Sequence, residues 1–269
     1  DLIDDVYDLS EKQGLEIDTL IHEEGAAQME INLRHGNPLE LADQVFLFKR
    51  TIREAALRHE MYATFMSKPM SNQPGSAMHI HQSVIDKDTG ENIFSGENGM
   101  ETEAFLSFIA GHQVYLPQVT PIMAPFVNSY RRFSKTSTSP VNVYWGYDNR
   151  TVGLRVPYSS PEARRLENRI PGSDANPYLA IAASLACGYL GMTKGLKPDA
   201  PRMDDCTELA KSLPRGLPEA LRKFETSEEM VEIFGEKFVA TYRAIKYEEF
   251  ETFMSVISPW EREYLLLNV

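Results

Sequence analysis

The stretch ARRLENRIPGSDANPYLAIAASLACGYLGM, residues 163–192, carries two different patterns in succession. In its first part a strand would place Arg165, Glu167 and Arg169 on one face, with Leu166 and Ile170 turned toward a core. From Asn176 onward the pattern becomes a helix rich in Ala, Gly and Ser, whose small face lets a neighbour approach closely. A carboxylate between two guanidiniums has two readings: an ion-pair ladder, or a metal ligand beside phosphate-binding arginines. Strands mixed with helices, without regular βαβ alternation, place the chain in the α+β class.

Upstream, GSAMHIHQS at residues 75–83 alternates in the same way, so a strand would put His79, His81 and Ser83 on one face. Residues 41–66 set Leu41, Val45, Phe48, Ile52 and Ala56 at helical spacing. The segment from Tyr62 to Phe94 reads as strands joined by the turns SNQPG and DKDTGEN, a hairpin. Residues 102–118 read as a helix, and NSYRRF, NVYWGY and RTVGLRVP as short strands or loop edges. In the tail, Thr226 with Glu229 and Ser258 with Glu261 are capping-box signatures, the second with Pro259 at the first helical position. With no internal repeat or linker, the 269 residues read as one domain.

Hydrophobic residues make up 42% of the chain, ample for a packed core. Charges interrupt every apolar stretch well before the roughly 18 residues a membrane span needs, and no basic, apolar leader is visible, so a cytoplasmic location is expected. A net charge of −12 argues against nucleic acid or an anionic membrane as partner. Between Arg131 and Arg169, however, eight Lys or Arg face three Asp or Glu. That local reversal suggests a site for a polyanion such as a nucleoside triphosphate. Cys187 reads as core filler and Cys206 as a surface thiol, neither in a metal or redox motif. Glu23 and Glu30, in HEEGAAQME, would face opposite ways on an unbroken strand. They are either surface acids or, through a bend at Gly25, Ala26 and Ala27, two carboxylates brought together.

GSAMHIHQS, NSYRRF, NRTVGLRVP and ARRLENRIPGSDANPY, in this order and spacing, resemble the catalytic domain of the glutamine synthetase family, from about Glu23 to the C-terminus. The resemblance implies a curved, mostly antiparallel sheet with packed helices. It also implies a reaction in which ATP phosphorylates the side-chain carboxylate of glutamate and an amine displaces the phosphate. It makes Glu23, Glu30, His79 and Glu167 ligands of Mg²⁺ or Mn²⁺, and oxygen donors with one imidazole suit those ions. His81, Ser83, Arg150, Arg155 and Arg165 would meet ATP, Arg132, Arg150 and Arg155 would act in catalysis, and Gly75, Arg132 and Arg169 would hold glutamate.

The same resemblance implies two departures. Where ammonia-using members carry a shielding glutamate this chain has Thr138, and where they carry an asparagine before the glycine it has Pro74. Together with RRFSKTSTSP, WGYDNR and ISPWEREYLLLNV, these favour an amine such as putrescine, as in γ-glutamylputrescine synthetases and related polyamine ligases. Ammonia, or a non-catalytic nucleotide-binding role, is the alternative. Family members carry a small N-terminal domain and a further metal-binding strand ahead of this point, so the chain is expected to be the catalytic part of a longer protein. The resemblance also implies a homo-oligomer, a dodecamer in the intact enzyme, with the C-terminal helix docked on a partner.

Overall fold

In the computed structural model, residues 1–133, 139–209 and 212–269 are described. The chain opens with helix α1 (Leu2–Lys12), followed by an antiparallel hairpin of β1 (Ile17–His22) and β2 (Met29–Leu33). Helix α2 (Pro38–Arg58) lies beside them. Val6, Leu15, Phe48 and Ala55 close a small apolar cluster between the two helices and the hairpin.

Helix α2 starts earlier and stops sooner than the expected 41–66. Asn37 caps its start by accepting from the Leu39 N–H, with Pro38 in the first turn, where its missing N–H costs nothing. Its end is set by Glu60, whose left-handed φ of 56° turns the chain away, and by His59, which meets Asp5 of α1 at 2.8 Å. Phe65 then folds back beneath Arg53 and Lys49 instead of extending the helix.

A four-stranded sheet runs in the order β3 (Ile80–Gln82), β6 (Leu166–Asn168), β5 (Leu154–Val156), β4 (Trp145–Tyr147). Pairings β3 with β6 and β6 with β5 are antiparallel, and β5 with β4 is parallel. The expected hairpin between Tyr62 and Phe94 is therefore not the sheet's unit. DKDTGEN does turn, with Ile85 bridged to Asn92 and the Asp86 carboxylate accepting from the Asp88 and Thr89 amides. The strand before it, however, pairs with β6, far along the chain. NSYRRF forms a 3₁₀ turn, Val127–Arg132, and not a strand.

Helices α3 (Glu103–Met123) and α4 (Pro177–Lys194) pack against the sheet and each other, and most of the core lies between them. Helix α3 runs past the expected residue 118 despite Pro117 and Pro121. The Thr120 hydroxyl donates to the Leu116 and Pro117 carbonyls, and Pro117 O is the acceptor that the Pro121 nitrogen cannot serve. The small face of α4 is what brings the pair together: a Cβ on Gly111 would lie 2.1 Å from the Cys187 carbonyl oxygen, and one on Gly191 2.0 Å from that of Ser107.

The remaining helices are α5 (Leu217–Glu225), α6 (Glu228–Phe234), α7 (Glu236–Met254) and α8 (Pro259–Leu265). The capping box predicted at Ser258 forms, with the Glu261 side chain accepting from the Ser258 N–H at 2.7 Å. The one predicted at Thr226 shifts by a residue. Ser227 caps α6, while the Thr226 hydroxyl donates back to Arg222 O and closes α5, because a single residue joins the end of one helix to the cap of the next. Cys206 also differs from expectation: it is fully buried, its amide donating to the Thr151 hydroxyl. Among the described residues no helix is long and apolar enough to cross a membrane.

Candidate functional site

The register of the sheet assembles the site. His81 pairs with Glu167 across β3 and β6, and Arg155 pairs with the same Glu167 across β5 and β6. Directly paired residues share a face, so the alternation of ARRLENR and of HIHQS lands on one polar surface. The opposite face carries Ile80, Leu154 and Leu166 into the core, together with Gln82 and Asn168. Those two amides meet the Ser184 hydroxyl at 2.5 and 2.9 Å, and His112 of α3 joins the same hydroxyl at 3.1 Å, so the polar layer beneath the site is hydrogen-bonded to both helices.

On the exposed face Glu167 is the centre, although only 2% of its surface is accessible. Oε1 accepts from Arg169 Nη1 at 2.8 Å and lies 3.2 Å from His79 Nδ1, while Oε2 accepts from Arg155 Nη1 at 2.8 Å. Burial acts to raise this carboxyl, but the His79 hydrogen bond and the neighbouring positive charge outweigh it and hold Glu167 well below the usual carboxylate range. Burial pushes the His79 imidazole down, against the hydrogen bond to Glu167. His79 Nδ1 faces the carboxylate, which turns Nε2 to the other side of the ring. Burial likewise lowers His81, whose Nδ1 accepts from Arg165 Nε at 3.2 Å.

Asp148, which no sequence pattern marked, holds the other side of Arg155 through its Nε at 2.9 Å and through Nη2. It sits at a left-handed φ of 45° in the turn after β4, a conformation that Asp tolerates better than most residues. Arg150 lies two residues on. It is exposed on that turn and makes no ion pair with the cluster among the described residues, because the turn that brings Asp148 back to Arg155 carries Arg150 outward. Ser83 lies exposed just past the end of β3.

At one edge of this face lie Gly75, Arg132 and Arg169. Arg132 is 1% exposed, with Nη2 donating to the Ile170 carbonyl and Nη1 reaching Ser139 Oγ at 3.5 Å. Burial pulls it down to about 10, with Asp174 opposing and Arg169 adding to the shift. Gly75 has to be glycine here: a Cβ would sit 2.5 Å from Arg132 Cγ and 3.1 Å from Ser67 O. The Nε atoms of both Arg132 and Arg169 are buried without a partner among the described residues. Two guanidiniums with donors to spare form a receptor for carboxylate or phosphate oxygens.

Glu23 and Glu30 are also brought together, by the bend the small residues allow. β1 ends at His22, Ala27 takes a left-handed φ of 56°, and the Glu23 amide donates to Gln28 O at 2.9 Å. Partial burial, then the neighbouring Glu30, raise the Glu23 carboxyl. The turn is fastened to the rest of the site, with Gln28 Nε2 donating to Gly75 O at 3.0 Å and the Ala26 amide to Gln73 at 3.1 Å.

The four expected metal ligands thus form two pairs, Glu23 with Glu30 and His79 with Glu167. Among the described residues no three His, Cys, Asp or Glu side chains gather around one point. Two carboxylates in one pair, and a carboxylate with one imidazole in the other, fit Mg²⁺ or Mn²⁺, with water and substrate oxygens filling the other coordination positions. Thr138 lies outside the described residues.

The model of the glutamine synthetase catalytic domain matches residues 1–265, beginning earlier than the motifs had indicated. The chain belongs to the glutamine synthetase family. It is 38% identical over 97% of its length to glutamate–isopropylamine ligase of a Pseudomonas species, and 36% identical over its whole length to γ-glutamylputrescine synthetase PuuA of Escherichia coli K12. It spans 58% and 57% of those two relatives. The glutamine synthetase of Pyrococcus abyssi also matches, 36% identical over 91% of this chain and 57% of that relative. The solved apo structure of GmaS superposes with a TM-score of 0.89 at 30% identity, covering 99% of this chain and 62% of that one. The α+β glutamine synthetase catalytic fold is thereby that of this protein.

Proposed function

We propose that this glutamine synthetase family chain carries the catalytic part of an ATP-dependent ligase. The ligase joins the side-chain carboxylate of glutamate to a primary amine through γ-glutamyl phosphate. The observation that carries the proposal is the gathering of Arg155, Arg165, His79, His81 and Glu167 on one face, next to the two part-satisfied guanidiniums of Arg132 and Arg169. Arg132 and Arg169 hold the carboxylates of glutamate, with Gly75 leaving Arg132 its space. Arg155 and Arg165 face the phosphates and offset the charge that develops on the transferring group. His81, Ser83 and Arg150 meet the nucleotide. Mg²⁺ or Mn²⁺ held by Glu23 with Glu30, and by His79 with Glu167, would neutralise the phosphate and carboxylate oxygens that otherwise repel each other.

Two features support an amine larger than ammonia. Pro74 offers neither an N–H nor a side-chain amide beside Gly75, and Thr138 offers no carboxylate to take a proton from ammonium. The names of two relatives, an isopropylamine and a putrescine ligase, agree with this. A homo-oligomer is part of the proposal, supported by an exposed apolar C-terminal end: Trp260 is 60% exposed and Leu267 92%. The test is phosphate release by the intact protein with glutamate, Mg·ATP and either ammonium, isopropylamine or putrescine. An alkylamine is expected to exceed ammonium in kcat/KM by about 100-fold, roughly 2.7 kcal/mol of transition-state binding. Turnover with ammonium alone would remove the amine assignment, and no glutamate-dependent release with any of the three would remove the ligase.

A further inference from the structure

Asp174 belongs to none of the expected metal, nucleotide or substrate groups, yet three segments that frame the glutamate end of the site meet on its carboxylate. Oδ1 accepts from the Ser67 hydroxyl and Oδ2 from the Ser129 hydroxyl, both at 2.7 Å. Ser129 lies in the same 3₁₀ turn as Arg132, three residues earlier, and its oxygen also accepts from the Phe126 amide at 3.0 Å. Ser67 opens the loop that reaches Gly75, and its carbonyl accepts from the Ser76 amide at 2.8 Å. Asp174 itself lies four residues after Ile170, whose carbonyl accepts from Arg132 Nη2.

The arrangement is tight around the carboxylate. A Cβ on Gly172 would fall 2.2 Å from Ser67 Oγ and 2.4 Å from Asp174 Oδ1, so the backbone there has been cleared for this contact. Lys49 of α2 pins the loop from outside, donating to Ser173 O at 2.7 Å and Ala175 O at 3.1 Å, and the Ser173 hydroxyl donates to Phe65 O at 2.8 Å. Asn128 and Lys68 exchange two further hydrogen bonds between the same segments, each of 2.9 Å. Arg132, buried beside this network, makes no ion pair with a carboxylate among the described residues, and Asp174 is the acid whose charge acts on it. A buried guanidinium with a free Nε can point in more than one direction unless its surroundings choose for it.

We infer that Asp174 is a positioning residue: through Ser129 and Ser67 it locks the Arg132 turn against the Gly75 segment, so that the Arg132 guanidinium is held ready for the substrate carboxylate. The inference rests on the ligase reading for the identity of that substrate, but not for the effect on Arg132. The experiment uses the intact protein and the variant Asp174→Ala, with two independent readouts. In phosphate-release kinetics the KM for glutamate is expected to rise by about tenfold or more while that for Mg·ATP changes by less than about twofold. In phenylglyoxal labelling read by peptide mass spectrometry, Arg132, protected in the wild type, is expected to react severalfold faster. Asp174→Asn, which can still accept one hydroxyl, should fall between the two.

If Asp174→Ala does not fold, Ser129→Ala removes one of the two hydrogen bonds and leaves the carboxylate, and should shift both readouts the same way. An unchanged glutamate KM with unchanged labelling in a folded variant overturns the inference. So does an equal rise in both KM values, which would mean general loosening. Wild-type protein without glutamate-dependent turnover would sink the ligase reading alone, because the labelling still reports on Arg132.

Discussion

Replacing Glu167 by Gln tests the centre of the polar face with almost no change of shape. The wild-type carboxylate receives one hydrogen bond from each of two guanidiniums at 2.8 Å and one from His79, at 2% exposure. Glutamine keeps one acceptor oxygen but aims an NH₂ group at a cation. Arg155 retains Asp148, whereas Arg169 loses its carboxylate partner with its Nε already unpaired. Charge-assisted hydrogen bonds contribute about 1.5–3 kcal/mol each, and stripping one partner from a buried ion cluster costs about 3–5 kcal/mol. We therefore expect about 3–5 kcal/mol of lost stability in urea titrations at pH 7, with an unchanged slope, and a Tm lower by roughly 6–15 °C.

The sign with pH follows from the depressed carboxyl. Its contribution is fully present above the ordinary glutamate value, near pH 4.3, and is lost as pH falls toward the folded-state value. The gap between wild type and variant should accordingly narrow only below about pH 4.3. A loss under about 1 kcal/mol at pH 7, or a gap that closes already near neutrality, would refute the claim that Glu167 joins β3, β6 and β5 electrostatically.

Two further outcomes follow from the packing. Gly111→Ala must push α3 away from α4, because the new methyl meets backbone atoms and not a flexible side chain. The expected cost is about 3 kcal/mol in the same titrations, and a change within about 0.5 kcal/mol would contradict the close helix approach. His112 is buried and held by burial down to about 4, so it stays neutral in the native protein while the unfolded chain takes up a proton below about 6.5. Stability should thus fall by about 3 kcal/mol between roughly pH 6.5 and 4 and then level off for this group. His112→Asn should lack that slope, and superimposable pH profiles for the two proteins would refute the assignment.

Much of the site was legible in the chain because its motifs are local. Alternation in ARRLENR and HIHQS told correctly which side chains share a face, since a strand repeats every two residues wherever it sits. The small residues of α4 announced a close neighbour, while Gly25, Ala26 and Ala27 only allowed the bend that joins Glu23 to Glu30, one of two readings open for those acids. The family signatures in GSAMHIHQS, NSYRRF and ARRLENRIPGSDANPY were likewise readable without coordinates, and the family match agrees with them.

Local patterns do not name partners. That β3 pairs with β6 and not with its sequence neighbour, so that His81 faces Glu167, depends on which apolar faces fit over α3 and α4. Asp148, Asp174 and the clearance at Gly75 were invisible for the same reason: each acts on a residue that the fold brings near, and its own surroundings in the chain look like an ordinary turn. The sequence by itself determined the family, the helix and strand faces and most of the charged groups that meet there. Only the tertiary structure decided that Glu167 sits between Arg155 and Arg169, that Arg150 stands apart, and that one half-buried aspartate joins three segments, because these depend on long-range packing that no short-range periodicity records.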